Sequence, residues 1–280
     1  MSVLEALLLG IVQGLTEFLP ISSSGHLILV PWLQDYTFLR ENEAFNKTFD
    51  VALHIGTAAA VIYYFRKELW RMFLGFFASL RRRSIEGLDE RMAWVVAVGT
   101  IPAVIVGGLG AGWIDDNLGE PWMIGIQLIV FGVILWAADQ LPQRRSIDKV
   151  RIRDGLYVGL AQAVALAPGT SRSGITITMG RILGFDREAA ARVGFLLLVP
   201  VTIGAGIVKT YEALDVGLPS GVALPMIVGM ITAAITGFLA IAWLLRYVTS
   251  HSYDIFVIYR ILVGAGVLIL IATGAREATF

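Results

Sequence analysis

Six stretches of this chain are apolar enough, and with their flanks long enough, to cross a bilayer, and that restricts the fold more than any other feature. They cover residues 51–65, 92–112, 122–138, 193–208, 222–245 and 255–272. A crossing helix needs about 20 residues. The first and fourth stretches are therefore short, and must borrow helix from Phe45 to Phe49 and from Ala189 to Ala191. Lipid offers no water to backbone N–H and C=O groups, so each crossing has to satisfy its own hydrogen bonds as a helix. Composition agrees: 56% of residues are hydrophobic and 16% charged, against a usual charged share of about 25%. The expectation is an all-α integral membrane protein. The formal net charge is zero, which leaves no electrostatic footprint for nucleic acid. The absence of Cys excludes disulfide and thiolate chemistry.

Two further apolar stretches, 3–15 and 156–167, are too short to cross. Each runs into a polar sequence broken by Pro and Gly. The first is Glu17-Phe18-Leu19-Pro20-Ile21-Ser22-Ser23-Ser24-Gly25-His26, the second Pro168-Gly169-Thr170-Ser171-Arg172-Ser173-Gly174-Ile175-Thr176. This pattern predicts two re-entrant helix–loop–helix elements, since irregular backbone at membrane depth survives only where protein or trapped water serves it. Positive charge sets the orientation. The connection 66–91 holds seven Lys and Arg and the connection 142–154 holds five, whereas 114–121 holds none and carries Asp115, Asp116 and Glu120. The first two are read as cytoplasmic and the third as external, which puts both termini outside.

The halves resemble each other. Gly10, Gln13, Ser24 and Gly25 recur, at one constant spacing, as Gly159, Gln162, Ser173 and Gly174. Val98-Gly99, Ala103, Ile105 and Gly107 recur as Val228-Gly229, Ala233, Ile235 and Gly237. Ile124, Leu128, Gly132, Val133 and Ala138 recur as Ile258, Leu262, Gly266, Val267 and Ala272. Residues 1–141 and 155–280 thus read as two repeats joined by a cytoplasmic connection, 142–154. Each holds one re-entrant element and three crossings. Three is odd, so the second repeat is inverted, an arrangement that brings broken helices together near the midplane.

Ionisable groups in an oily chain mark a working site. In the first loop a Ser hydroxyl needs a base before it attacks, and either His26 or Glu17 suits. Glu17 equally suits a divalent cation. In the second loop Arg172 offers a planar fork for phosphate oxygens. Gly169 and Gly174 permit close approach, Ser171, Ser173 and Thr176 supply hydroxyls, and the following helix points its positive end at the loop. Together they indicate phosphoryl transfer, in which positioning and charge stabilisation do most of the work. Arg260 lies inside the last crossing and needs a counter-charge, for which a substrate phosphate or Glu17 is the expectation. His54, near Gly56 and Thr57, reads equally as site or core.

With these motifs in view, the chain resembles the bacterial undecaprenyl-diphosphatase family. The residues that carry the resemblance are Gln13-Gly14-Leu15-Thr16-Glu17, Ser22 to His26, Pro168 to Thr176 and Tyr259-Arg260. The resemblance implies a multi-pass bacterial inner-membrane phosphatase that acts on a prenyl diphosphate lipid, uses a divalent cation (Mg2+ or Ca2+) and pairs as a homodimer. By motif, Glu17 is the essential carboxylate, Ser23 the nucleophile, His26 the acid or base and Arg172 the phosphate clamp. Ser22, Ser24, Gly169, Ser171, Ser173, Thr176 and Arg260 are expected around the phosphates, and Glu17 with Gln13 at the metal. Gln13 stands where many members carry Glu. The competing expectation for this architecture is a lipid-phosphate flippase or transporter.

Overall fold

The computed structural model describes residues 1–216 and 221–279, apart from the side chains of residues 40, 43, 44, 111, 115, 116 and 208–216. Asp115 and Asp116, which helped orient the 114–121 connection, therefore lie outside the described side chains. Among the described residues, eleven α-helices and one short 3-10 turn, Ile147–Lys149, follow in order: α1 (Val3–Phe18), α2 (Ser23–Gln34), α3 (Thr37–Glu41), α4 (Glu43–Arg82), α5 (Leu88–Asn117), α6 (Pro121–Asp139), α7 (Ile152–Val164), α8 (Arg172–Ile182), α9 (Arg187–Val216), α10 (Ala223–Tyr247) and α11 (Asp254–Ala272). Among the described residues, six of them (α4, α5, α6, α9, α10 and α11) are long and apolar enough to cross a membrane. They coincide with the six crossings expected from sequence. The chain is an all-α, multi-pass membrane protein.

The boundaries differ most at α4. Hydropathy ends the first crossing at Phe65 and starts a long basic connection there; the structure continues the helix to Arg82, 40 residues in all. At 1.5 Å per residue it is about 60 Å long, twice the hydrocarbon thickness. Charged Arg66, Lys67, Glu68 and Arg71 do not stop a helix, because long unbranched side chains are good helix formers. Only Arg83, in left-handed conformation (φ 56°), ends it. The true link to α5 is short.

Both polar sequences open into paired helices. In the first, α1 ends at Phe18 and α2 begins at Ser23; in the second, α7 ends at Val164 and α8 begins at Arg172. The packing is exchanged between the halves. Helix α1 lies against α10, and α7 lies against α5. Small residues permit this approach: a Cβ on Gly10 or Gly14 would strike the α10 backbone at Gly229 and Ala233, and one on Gly155 or Gly159 would strike the α5 backbone at Val95 and Gly99. Helices α6 and α11 meet at Gly125 and Gly264, each facing the other's carbonyl. The main core gathers Phe18, Phe65, Leu135, Phe195, Leu244 and Tyr253.

A buried ionic knot fastens the far end of α8. Asp139, the last residue of α6, accepts from Arg181 Nε (3.0 Å), Arg187 Nε (2.9 Å) and the Tyr253 amide (3.1 Å). Arg181 also donates to the carbonyls of Phe185, Asp139 and Leu141. A charge taken out of water needs this degree of pairing.

Candidate active site

Each re-entrant element turns through a serine in an unusual conformation. Ser22 (φ 79°) caps α2 and Ser171 (φ 77°) caps α8, at equivalent places in the two loops. Positive φ is uncommon for a residue with a Cβ. Each hydroxyl accepts from the amide three residues on, Gly25 N at 3.3 Å and Gly174 N at 3.1 Å, which offsets part of that strain. The first residue of each following helix then faces inward. In α2 that residue is Ser23; in α8 it is Arg172.

Both reach Glu17, at the end of α1 and only 2% exposed. Ser23 Oγ donates to Glu17 Oε2 at 2.5 Å. Arg172 Nη2 lies 3.1 Å from Glu17 Oε1, although the two are not aligned as a hydrogen bond. One helical turn before Glu17, Gln13 Nε2 donates to Glu17 Oε2 (3.1 Å) and to Thr57 Oγ1 (3.5 Å). Helix α4 closes this side with His54, whose Nε2 is 3.7 Å from Glu17 Oε2 and whose Nδ1 bonds the Asp50 carbonyl (2.7 Å). The carboxylate is sealed from solvent, while Arg172 and His54 keep side-chain exposures of 19% and 23%. They form the open edge of the site.

The tips of the two elements touch. Ser173 Oγ donates to the Leu19 carbonyl (2.9 Å), and a Cβ on Gly25 would sit 3.4 Å from Gly169 Cα. Gly169 itself has φ +96°, and a Cβ there would press on Ile124 and Gln127 of α6. Conformation and closeness together exclude a side chain. Thr170 Oγ1 donates to Gln127 Oε1 (2.9 Å).

The other expected residues divide. Ser24 is half-buried, 3.5 Å from Ser22 Oγ. Thr176 turns its hydroxyl back onto its own helix, to the Arg172 carbonyl (2.8 Å), and packs against Gly194 of α9. His26 is held away from Ser23's proton: Nδ1 meets the Ser22 carbonyl (2.6 Å) and Nε2 meets Tyr259 Oη (2.8 Å). Arg260 is wholly buried, and its donors go to backbone carbonyls rather than to a carboxylate. Glu17 is not its partner but pairs with Arg172, and several carbonyl dipoles take up the Arg260 donors instead. Sequence reasoning left His54 undecided and passed over Thr57 and Gln127. A histidine and a threonine three apart on one helix face, in a chain with a buried carboxylate elsewhere, was the available signal.

Gln13 Oε1 and Glu17 Oε1 are buried and accept no hydrogen bond. An amide oxygen and a carboxylate oxygen one helical turn apart suit a hard, oxygen-seeking cation, although Arg172 Nη2 already lies 3.1 Å from the Glu17 oxygen. Among the described residues no group of three or more His, Asp or Glu could hold a metal by itself.

The chemistry of this constellation is a hydroxyl nucleophile hydrogen-bonded to a carboxylate, a guanidinium beside it, and two helices, α2 and α8, whose N-termini begin at that hydroxyl and that guanidinium. Comparison with known proteins agrees with it. The family model for bacitracin resistance protein BacA matches residues 6–266. An undecaprenyl-diphosphatase of Nocardioides sp. is 46% identical, with 98% of each chain covered. Those of Thermomicrobium roseum (45%; 99% of this chain, 100% of the relative) and Pelobacter propionicus (43%; 98% and 99%) are similar over the same span. Full-length matches of this kind, with Glu17, Ser23 and Arg172 gathered at one buried point, identify the chain as a member of the bacitracin resistance protein BacA family.

Proposed function

We propose that this chain is an undecaprenyl-diphosphatase, a membrane enzyme that hydrolyses undecaprenyl diphosphate to undecaprenyl phosphate and inorganic phosphate and so recycles the lipid carrier for cell-wall synthesis. The observation that carries the reading is Glu17 shared between Ser23 on one hairpin and Arg172 on the other. The prenyl tail stays among the crossing helices and the diphosphate enters at the open edge. Arg172 and the first-turn amides of α2 and α8 take up charge on the terminal phosphate. Ser23 Oγ attacks its phosphorus as the bond to the bridging oxygen breaks, and its proton passes to Glu17 Oε2, the acceptor it already contacts. Undecaprenyl phosphate leaves. Water then frees phosphate from Ser23, with Glu17 managing the proton again. The 2.5 Å Ser23–Glu17 contact supports Glu17 rather than His26 as the base.

Gln13 and the Glu17 carboxylate would hold the divalent cation, Mg2+ or Ca2+. When bound, it neutralises charge on the diphosphate. The inner-membrane placement with both termini external is supported by the adjacency of the two basic connections: Arg91 donates to the carbonyls of Asp148 and Val150, so both sit on one face. An inverted repeat is supported by the exchanged packing of α1 on α10 and α7 on α5. Pairing with a second copy rests on family resemblance and is measured by light scattering in detergent.

The test is phosphate release from undecaprenyl diphosphate by purified protein in detergent, where no membrane gradient exists for a flippase to use. The native protein releases phosphate, and Arg172→Ala loses about 100-fold or more in kcat/KM. A folded native protein without release rejects the reading. In the same assay a chelator stops release and Mg2+ or Ca2+ restores it; full activity in excess chelator removes the cation from the mechanism.

A further inference from the structure

Arg260 is a buried guanidinium that forms no ion pair among the described residues. Its Nε donates to the Leu128 carbonyl at 3.0 Å. Nη1 donates to the Pro20 carbonyl at 3.2 Å. Nη2 serves the carbonyls of Gln127 (3.3 Å), Gly169 (3.1 Å) and Thr170 (3.1 Å). Pro20 belongs to the first loop, Gly169 and Thr170 to the second, Gln127 and Leu128 to α6. One side chain thus ties three separate segments to α11. Gly174 makes room for it, since a Cβ there would fall 3.0 Å from Nη1. No ammonium could do the same work: Lys has three donors on one atom, Arg five in a rigid fork.

Its neighbour extends the tie. Tyr259 Oη lies 2.8 Å from His26 Nε2, with the two rings stacked 5.6 Å apart. The Ser22 carbonyl can only accept, so His26 Nδ1 carries a hydrogen, and in a neutral ring Nε2 accepts from the tyrosine hydroxyl. Both nitrogens are then engaged: one on the left-handed residue that caps α2, the other on α11. Ser23 follows that residue directly, so the orientation of the nucleophile depends on this pair of bonds.

We infer that Tyr259 and Arg260 are positioning residues of the active site, locking the tips of both hairpins so that Ser23 and Arg172 converge on Glu17, and that His26 is part of this lock. Arg260 neither binds the substrate phosphate nor moves a proton. This rests on the phosphatase reading, which fails separately if the native protein releases no phosphate.

The experiment measures kcat and KM for phosphate release in detergent, with thermal stability of each variant, for Arg260→Lys, Tyr259→Phe and His26→Asn. Loss of fine alignment costs rate far more than affinity, about 100-fold for a displacement near 1 Å. Arg260→Lys is expected to lower kcat by about that factor, with KM within about threefold of native. Tyr259→Phe, which deletes one hydroxyl, lowers kcat several-fold. His26→Asn, whose amide can still reach the Ser22 carbonyl, keeps activity within about tenfold of native, less than the loss of a general base would remove. A native kcat in Arg260→Lys, or a normal kcat with KM raised tenfold or more, overturns the inference, the latter because it is the signature of a phosphate ligand. If Arg260→Lys does not fold, the other two decide: native kcat in Tyr259→Phe, or abolished turnover in a stably folded His26→Asn, overturns it.

Discussion

Glu17 is the residue on which the account turns. It is buried beside Phe18 on an apolar helix, yet it receives hydrogen bonds from Ser23 and Gln13 and faces Arg172. Glu17→Gln keeps the shape and removes the proton acceptor, so kcat is expected to fall by about 100- to 10,000-fold. Ser23→Ala removes the nucleophile and falls at least as far. Phosphate-release kinetics on stably folded variants check both; Glu17→Gln within tenfold of native would transfer the base role elsewhere. Glu17 and Arg172 were legible in the sequence because charged groups in an apolar chain demand a reason, whereas Ser23 was separated from its serine neighbours only by the family resemblance. Arg260 was legible as an anomaly but not in its partners, since reasoning from counter-charge looks for an anion and overlooks carbonyl oxygens brought together from distant segments. His54 stayed undecided because its neighbour across the site, Glu17, is remote in sequence and lies on another helix.

Helices place these residues only if their far ends are fixed. Helix α8 carries Arg172 at its start and Arg181 near its end, and Asp139 of α6 holds Arg181 together with Arg187 of α9. Asp139→Ala removes the carboxylate that two guanidinium groups share, one of them fully buried. The expected loss is about 3–5 kcal/mol of stability, read as a lowered melting temperature in detergent. An unchanged melting temperature would show that the knot does not hold the helices. Nothing in the sequence announced this cluster: an Asp at the end of a crossing reads as a boundary marker, and both its arginines lie beyond the central connection, on α8 and α9. The crossings themselves were legible from hydropathy to within a turn for α6 and α11. The length of α4 was not, because hydropathy locates the membrane and not the end of a helix that continues past it.

At the scale of the whole molecule, neither half contains a complete site. The first supplies Glu17, Ser23 and His54, and the second supplies Arg172; α11 of the second half reaches back to Pro20 in the first. Motif order along the chain announced the two loops, and the constant spacing between their matching residues suggested their equivalence. Their contact is a property of the fold, and loops so far apart meet only because α1 and α7 each pack on a helix from the opposite half. The central claim, one site built jointly by both hairpins, is tested most directly by a double-mutant cycle on kcat/KM with Ser23→Thr, Arg172→Lys and the double variant. Groups that act as a unit on one phosphate are strongly non-additive. The double variant is predicted to lose little more than the worse single variant, and losses that simply multiply would contradict a shared site.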